Sequence, residues 1–181
     1  MAIRLLTEHD AEEFVRLRHE ALTREPYAFA RAPEDAPFWP PDSVPSRLRA
    51  VPEGNFLVGA FTDQHMVGLA GFVRHEGRKL RHKGDIWGVY VTAVARGHGM
   101  AKAMLLHMLD RLRGYSGLEQ VGLSVSVPQE AARRLYDVLG FEVYGYEKHA
   151  LKVGETYVDE EHRVLWLHAS PMVERHRPID H

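Results

Sequence analysis

The chain has 181 residues, 45% of them hydrophobic and 27% charged, with 23 Lys and Arg against 25 Asp and Glu for a net charge of −2. That length suits one domain around one sizeable core, and the near balance of charge gives no general attraction to nucleic acid or an anionic membrane. The absence of cysteine excludes disulfides, thiolate catalysis and cysteine-ligated metals, and fits a reducing cytoplasm. The opening MAIRLLTEHDAEE turns acidic too soon for a secretory leader, and no uncharged run approaches the ~20 residues that a membrane helix needs.

Ile3–Leu6 reads as a short strand, and Thr7 with Asp10 three positions on reads as a helix start. Phe14, Leu17, Arg18, Ala21 and Leu22 follow at helical spacing. Residues 23–53 are proline-rich and irregular, with a short helical piece around Ser46–Val51; a loop of that length in a compact domain is usually functional or disordered. Phe56–Thr62 and Met66–Arg74, joined at Asp63-Gln64-His65, form a hairpin. His75–Lys83 is a loop and Asp85–Val91 a strand.

Met100–Arg113 carries Met104, Leu105, Met108, Leu109 and Leu112 on one helical face and stops at Gly114. Val121–Val127 alternates as a strand, and Ala131–Leu139 is a further helix closed by Gly140. Phe141–Val153 and Thr156–His168 make a last hairpin around Gly154, and residues 169–181 read as a loose tail. The order predicts a single mixed α/β domain over residues 1–168, its sheet antiparallel in the hairpins and parallel where helices intervene. It is not a Rossmann fold, because the G-x-G-x-x-G spacing is missing.

The chemistry concentrates in Ile86–Ala103, where an uncharged strand runs through Arg96-Gly97-His98-Gly99-Met100-Ala101 onto a helix. A helix start leaves backbone N–H groups unpaired and carries partial positive charge, so it holds anions. Gly97 and Gly99 permit positive φ and close approach of a ligand, and Arg96 adds a cation. This stretch predicts a phosphate or pyrophosphate site. The 12 histidines show no metal-ligand spacing, and Trp87 and Trp166 read as core residues.

Two elements resemble the GNAT N-acetyltransferase superfamily. The first is the Arg96–Ala101 turn, matching Arg/Gln-x-x-Gly-x-Gly/Ala; the second is Ala132-Arg133-Arg134-Leu135-Tyr136-Asp137-Val138-Leu139-Gly140-Phe141, matching Ala-x-x-Leu-Tyr-x-x-x-Gly-Phe. The likeness covers roughly Phe56–Val153 and implies a twisted, partly antiparallel sheet of about seven strands flanked by about four helices. It implies acetyl-CoA as cofactor, its pyrophosphate on the amides of Arg96, Gly97, His98, Gly99, Met100 and Ala101. It places the pantetheine arm along a central strand that splays from its neighbour, beside Val89 and Val91, with an amide near Val91 facing the thioester oxygen. Many members carry Asn where this chain has Gln129, and Arg133 is a candidate for a CoA phosphate.

The resemblance makes Tyr136 the general acid, against its default reading as a core tyrosine with a satisfied hydroxyl. The implied reaction is direct attack on the thioester by a primary amine of a small molecule or of a peptide or protein. A non-catalytic acyl-CoA-binding module of the same fold is the alternative. Residues 86–91 contain no carboxylate, so the base is Asp85, His82 or a water relay. Acidic and aromatic residues in the first loop (Glu25, Glu34, Asp35, Phe38, Trp39) and last hairpin (Glu155, Asp159, Glu160, Glu161) either receive a cationic amine or are solvated faces. Dimers are common in the family.

Overall fold

A computed structural model describes residues 2–35 and 41–168. Phe38, Trp39 and the 169–181 tail lie outside the described residues. Strands β1 (Ala2–Leu5), β2 (Phe56–Thr62), β3 (His65–Arg74), β4 (Lys83–Val91), β5 (Gln120–Ser126), β6 (Glu142–Val153) and β7 (Thr156–Trp166) form one sheet in the order β1-β2-β3-β4-β5-β7-β6. The helices are α1 (Ala11–Arg24), α2 (Val44–Leu48), α3 (Met100–Arg113) and α4 (Glu130–Val138).

Every neighbouring pair of strands is antiparallel except β4 and β5, which are parallel because α3 crosses between them. The β2–β3 turn is tighter than the sequence suggests. Asp63 and Gln64 both take positive φ, 48° and 70°, and His65 already belongs to β3. The short helix of the proline-rich loop falls at Val44–Leu48, earlier than its apolar spacing indicates, with Pro45 in its first turn.

The sheet has a core on each side. On one, Met104, Leu105, Met108, Leu109 and Leu112 of α3 pack with Phe56, Phe72, Val121, Leu123 and Phe141. On the other, Phe14, Leu17 and Ala21 of α1 meet Leu57, Met66, Leu69 and Tyr90. Truncating a fully buried leucine such as Leu105 would cost ~2–5 kcal/mol. Trp87 packs partly buried against the α1 core, whereas Trp166, expected inside, is 41% exposed because it ends β7. Ahead of α1, Asp10 accepts from Thr7 N–H at 2.7 Å and from both Arg4 Nη atoms at 2.8 and 2.7 Å, which fixes the helix start against β1.

Two irregularities in β4 shape the site. Between the Leu69–Tyr90 and Gly71–Trp87 pairs the register shifts by one residue, and Gly88 in that bulge has φ 65°. On its other edge, β4 pairs β5 only through Lys83–Gln120, Gly84–Val121 and Asp85–Gly122. Beyond Asp85 the two strands part. The sheet therefore opens like a wedge between two parallel strands.

Candidate active site

The wedge leads into a cleft of about 320 Å³ walled by β4, α3, α4 and the chain after α1. Its lining includes Val89, Val91, Arg96, Gly97, Gly99, Met100, Ala101, Gln129 and Tyr136. His98 and Arg133 are not among the lining residues. Glu25, Phe29, Tyr90 and Lys102 also contribute.

At the start of α3, Gly99 caps the helix in the left-handed conformation with φ 72°, and Gly97 has φ 82°. A Cβ at either glycine would meet nothing within 4 Å. The backbone angles therefore require glycine here, while packing does not, and the space above the amides stays open. Ala103 N–H donates to Gly99 O at 3.0 Å as the first helix bond, so the amides of Met100, Ala101 and Lys102 precede it and face the cleft end of the dipole. Lys102 brings a cation to the same turn; its place three residues after Gly99 is the only sequence signal it carries.

Arg96 is placed differently from the free cation that its position suggests. Its Nη2 donates to Glu25 at 2.6 Å and its Nε to Val91 O at 2.9 Å, with Tyr90 beneath the guanidinium. Thr92 N–H donates to Val67 O at 2.9 Å, so by strand alternation the polar groups of Val91 point to the wedge side. Arg96 takes the Val91 carbonyl there, and the Val91 amide faces the same side.

Two tyrosines reach the cleft. The Tyr90 hydroxyl donates to Glu20 at 2.9 Å, and burial with this bond pushes its pKa up to about 12. Tyr136 is 5% exposed, and burial pushes it up to about 12 against a small lowering by Arg163. Its ring belongs to the α3-side core, as the default reading has it, while its hydroxyl makes no hydrogen bond to a described residue. Tyr136 is thus protonated at neutral pH with its proton uncommitted.

Arg133 turns away from the cleft. Its Nη2 donates to Glu161 at 2.6 Å, and the buried Arg163 grips the same carboxylate with two bonds of 2.9 and 2.6 Å while reaching Asp137 at 2.6 Å. This network seats α4 on β7. Asp85 and His82 lie at the closed end of the wedge: Asp85 holds His75 Nε2 at 2.7 Å, and the His82 carbonyl accepts from Glu119 and Gln120. Six steps along the chain at ~3.3 Å each separate Asp85 from Val91, and neither Asp85 nor His82 lines the cleft. The acidic residues proposed from sequence to receive an amine are largely engaged elsewhere: Glu25 by Arg96, Glu161 by two arginines, and Asp159 by Tyr146 and the His149 amide.

The family model for acetyltransferases of the GNAT family matches residues 13–141, and the chain belongs to that family. The fold is shared with an acetyltransferase of the GNAT family from Streptococcus pneumoniae at a TM-score of 0.81 and 18% identity, covering 91% of this chain and 98% of that one. The yncA protein of Salmonella typhimurium, assigned as an acetyltransferase and solved with its cofactor acetyl-CoA, aligns at 0.77 and 19% over 94% and 97% of the two chains. A ribosomal-protein-alanine N-acetyltransferase from Brucella melitensis aligns at 0.73 and 19% over 92% and 99%. No curated protein matches the chain by sequence. No helix among the described residues is long and apolar enough to cross a membrane.

Proposed function

We propose that this protein is an acetyl-CoA-dependent N-acetyltransferase that acetylates a primary amine by direct attack while both substrates are bound. The observation that carries the reading is the continuity of three features in one cleft. An unpaired β4 edge leads to an open amide cradle at α3, and Tyr136, whose hydroxyl bonds no described residue, lines the same cleft.

The residues fit the cofactor. The amides of Met100, Ala101 and Lys102, with Gly97 and Gly99 clearing the approach, suit a pyrophosphate, and Lys102 adds charge. The β4 edge near Val89 and Val91 offers strand-type hydrogen bonds to an amide-bearing arm, and Gln129 supplies a further amide side chain from the opposite wall. The Val91 amide is a preorganised donor for developing negative charge on the acyl oxygen. Bound acetyl-CoA supplies the activated acyl group.

The chain's own residues then manage protons and water. Tyr136 holds a proton at its hydroxyl and delivers it to the leaving group, while the apolar wall of Ala132 and Leu135 excludes solvent. An alkylamine with a pKa near ~10.4 must arrive deprotonated. Glu25, the carboxylate lining the cleft, is held by Arg96, so the amine loses its proton to a chain of waters. Calorimetric titration with acetyl-CoA, coupled to an assay of free thiol release against a panel of amines and peptides, tests this function. Absence of cofactor binding would refute it.

A further inference from the structure

Among the described residues, one charged side chain in the α1 core has neither a hydrogen-bond acceptor nor an ion-pair partner. Arg18 sits in the apolar stripe of α1 between Leu17 and Ala21 and is only 7% exposed. Its Nε and Nη1 are sealed from solvent without any hydrogen-bond acceptor, and no bond to Nη2 occurs among the described residues. The guanidinium lies 4.8 Å from the Phe29 ring centroid and 5.8 Å from that of Trp87. Its Nη1 is 3.5 Å from the point where Gly88, in the β4 bulge, would carry a Cβ. Burial, with some repulsion from Arg31, lowers its pKa to about 10.

An unpaired buried cation is costly, and stacking on aromatic rings offsets only a small part of that cost. A helix core is more stable with methionine or leucine at such a position. The location suggests what the cation is for. Phe29 lines both the cofactor cleft and a second cleft between residues 22–34 and the β6–β7 turn. Val89, next to Gly88, lines the first. The second cleft carries Arg31 and Lys152 against Glu34, so its charged lining is net positive. Arg18 itself lines neither cleft; it lies directly behind Phe29, which borders both, and beside Gly88 of the β4 bulge.

Resting on the acetyltransferase reading above, we infer that the acceptor is an amine that also bears a carboxylate, and that Arg18 binds that carboxylate. A planar two-oxygen anion matches two guanidinium N–H groups at once, and once Phe29 turns aside to admit it such a pair in these apolar surroundings is stronger than in water. The acceptor class is then a free amino acid or a similar zwitterion, as opposed to a polyamine or an amine without an acid group. The stored cost of the unpaired cation also gives selectivity, because a neutral analogue leaves Arg18 unsatisfied.

The test compares L-amino acids with their own amides and decarboxylated amines as acceptors, using wild type and Arg18→Met. Wild type should use at least one amino acid better than its amide by about tenfold or more in kcat/KM. Arg18→Met should abolish that preference through KM, leave acetyl-CoA affinity unchanged and raise Tm, because it removes an unsatisfied charge. Arg18→Lys should recover part of the preference. Binding of the same amino acids and amides, followed by calorimetry with CoA present, gives a readout independent of turnover. The inference is overturned if no amino acid is preferred to or bound better than its amide, or if the preference survives in Arg18→Met. A fall in Tm with selectivity unchanged would assign Arg18 to packing alone. Failure of acetyl-CoA to bind the wild type is a separate result and refutes the acetyltransferase reading itself.

Discussion

Tyr136 and Phe141 close the end of α4 together. Phe141 N–H donates to Tyr136 O at 3.0 Å, Gly140 N–H donates to Asp137 O at 3.0 Å, and Gly140 takes φ 87° between them. The two rings meet edge to face at 5.7 Å. This is a Schellman end with its apolar contact, and it settles the orientation of the one cleft tyrosine whose hydroxyl is unspent. The stop signal of a helix and the placement of a candidate acid are the same few residues.

Tyr136→Phe keeps the ring contact and the helix end and removes only the hydroxyl. Stability and acetyl-CoA affinity should hardly move, since that hydroxyl makes no hydrogen bond within the described protein. Turnover should fall by about 10²–10⁴ if Tyr136 is the acid. Steady-state kinetics beside a thermal melt measures both, and near-normal turnover would return the proton source to solvent.

Gly99→Val tests the cradle. Nothing stands within 4 Å of a Cβ there, so the fold should survive with only a left-handed strain of ~1–2 kcal/mol, or about 2–8 °C in Tm. The branched side chain would fill the space above the amides. Stabilisation by acetyl-CoA, present in wild type, should disappear in the variant; an undiminished ligand-induced shift would place the pyrophosphate elsewhere.

Asp85→Asn and His82→Ala should each keep most of the activity and the rising limb of the pH–rate profile. Both residues lie where β4 and β5 are still bonded, far from the open end of the wedge. Loss of that limb in Asp85→Asn, with acetyl-CoA affinity intact, would make Asp85 the base and remove the water chain.

Asp10 links the fold to acid. Hydrogen bonds from Arg4 lead the causes that hold its carboxyl down at about 2, below the ordinary value near 4. A folded-state pKa below the unfolded one contributes stability that is complete above the unfolded value and is lost as pH falls toward the folded one. The Tm difference between wild type and Asp10→Asn should therefore be largest above about pH 4 and shrink toward pH 2. A difference that is flat over this range would mean that the charge of Asp10 does not contribute.

The elements themselves were legible because their periods were long or their ends chemically marked. Met104 to Leu112 fixed the face of α3, and Gly140 fixed the end of α4. The wedge left no periodic trace. The spacing of Ile86–Val91 reads as an ordinary strand, and only the resemblance in the two motifs implied that β4 parts from β5. Gly88 inside that strand is the one local signal of the bulge, and the strand reading does not use it. Arg96 and Arg133 were recognisable as cations near the site, but their partners Glu25 and Glu161 are 71 and 28 residues away, beyond any local pattern. Arg18 stood in the apolar stripe of α1 from the start. A charge at such a position has several local explanations, and the absence of a partner became visible only in three dimensions.

The wedge has a further consequence, for self-association. A free strand edge is normally a template on which another molecule can stack its own strands, and proteins blunt such edges with charges, proline or bulges. Here the free edges of β4 and β5 face each other inside a single sheet. A foreign sheet cannot enter that gap, because the strands flanking its own edge would collide with β3 on one side and β7 on the other. A single thin chain can. The wedge can therefore display backbone hydrogen-bonding groups to a slender ligand without itself being a seed for aggregation, unlike the outer edges at β1 and β6.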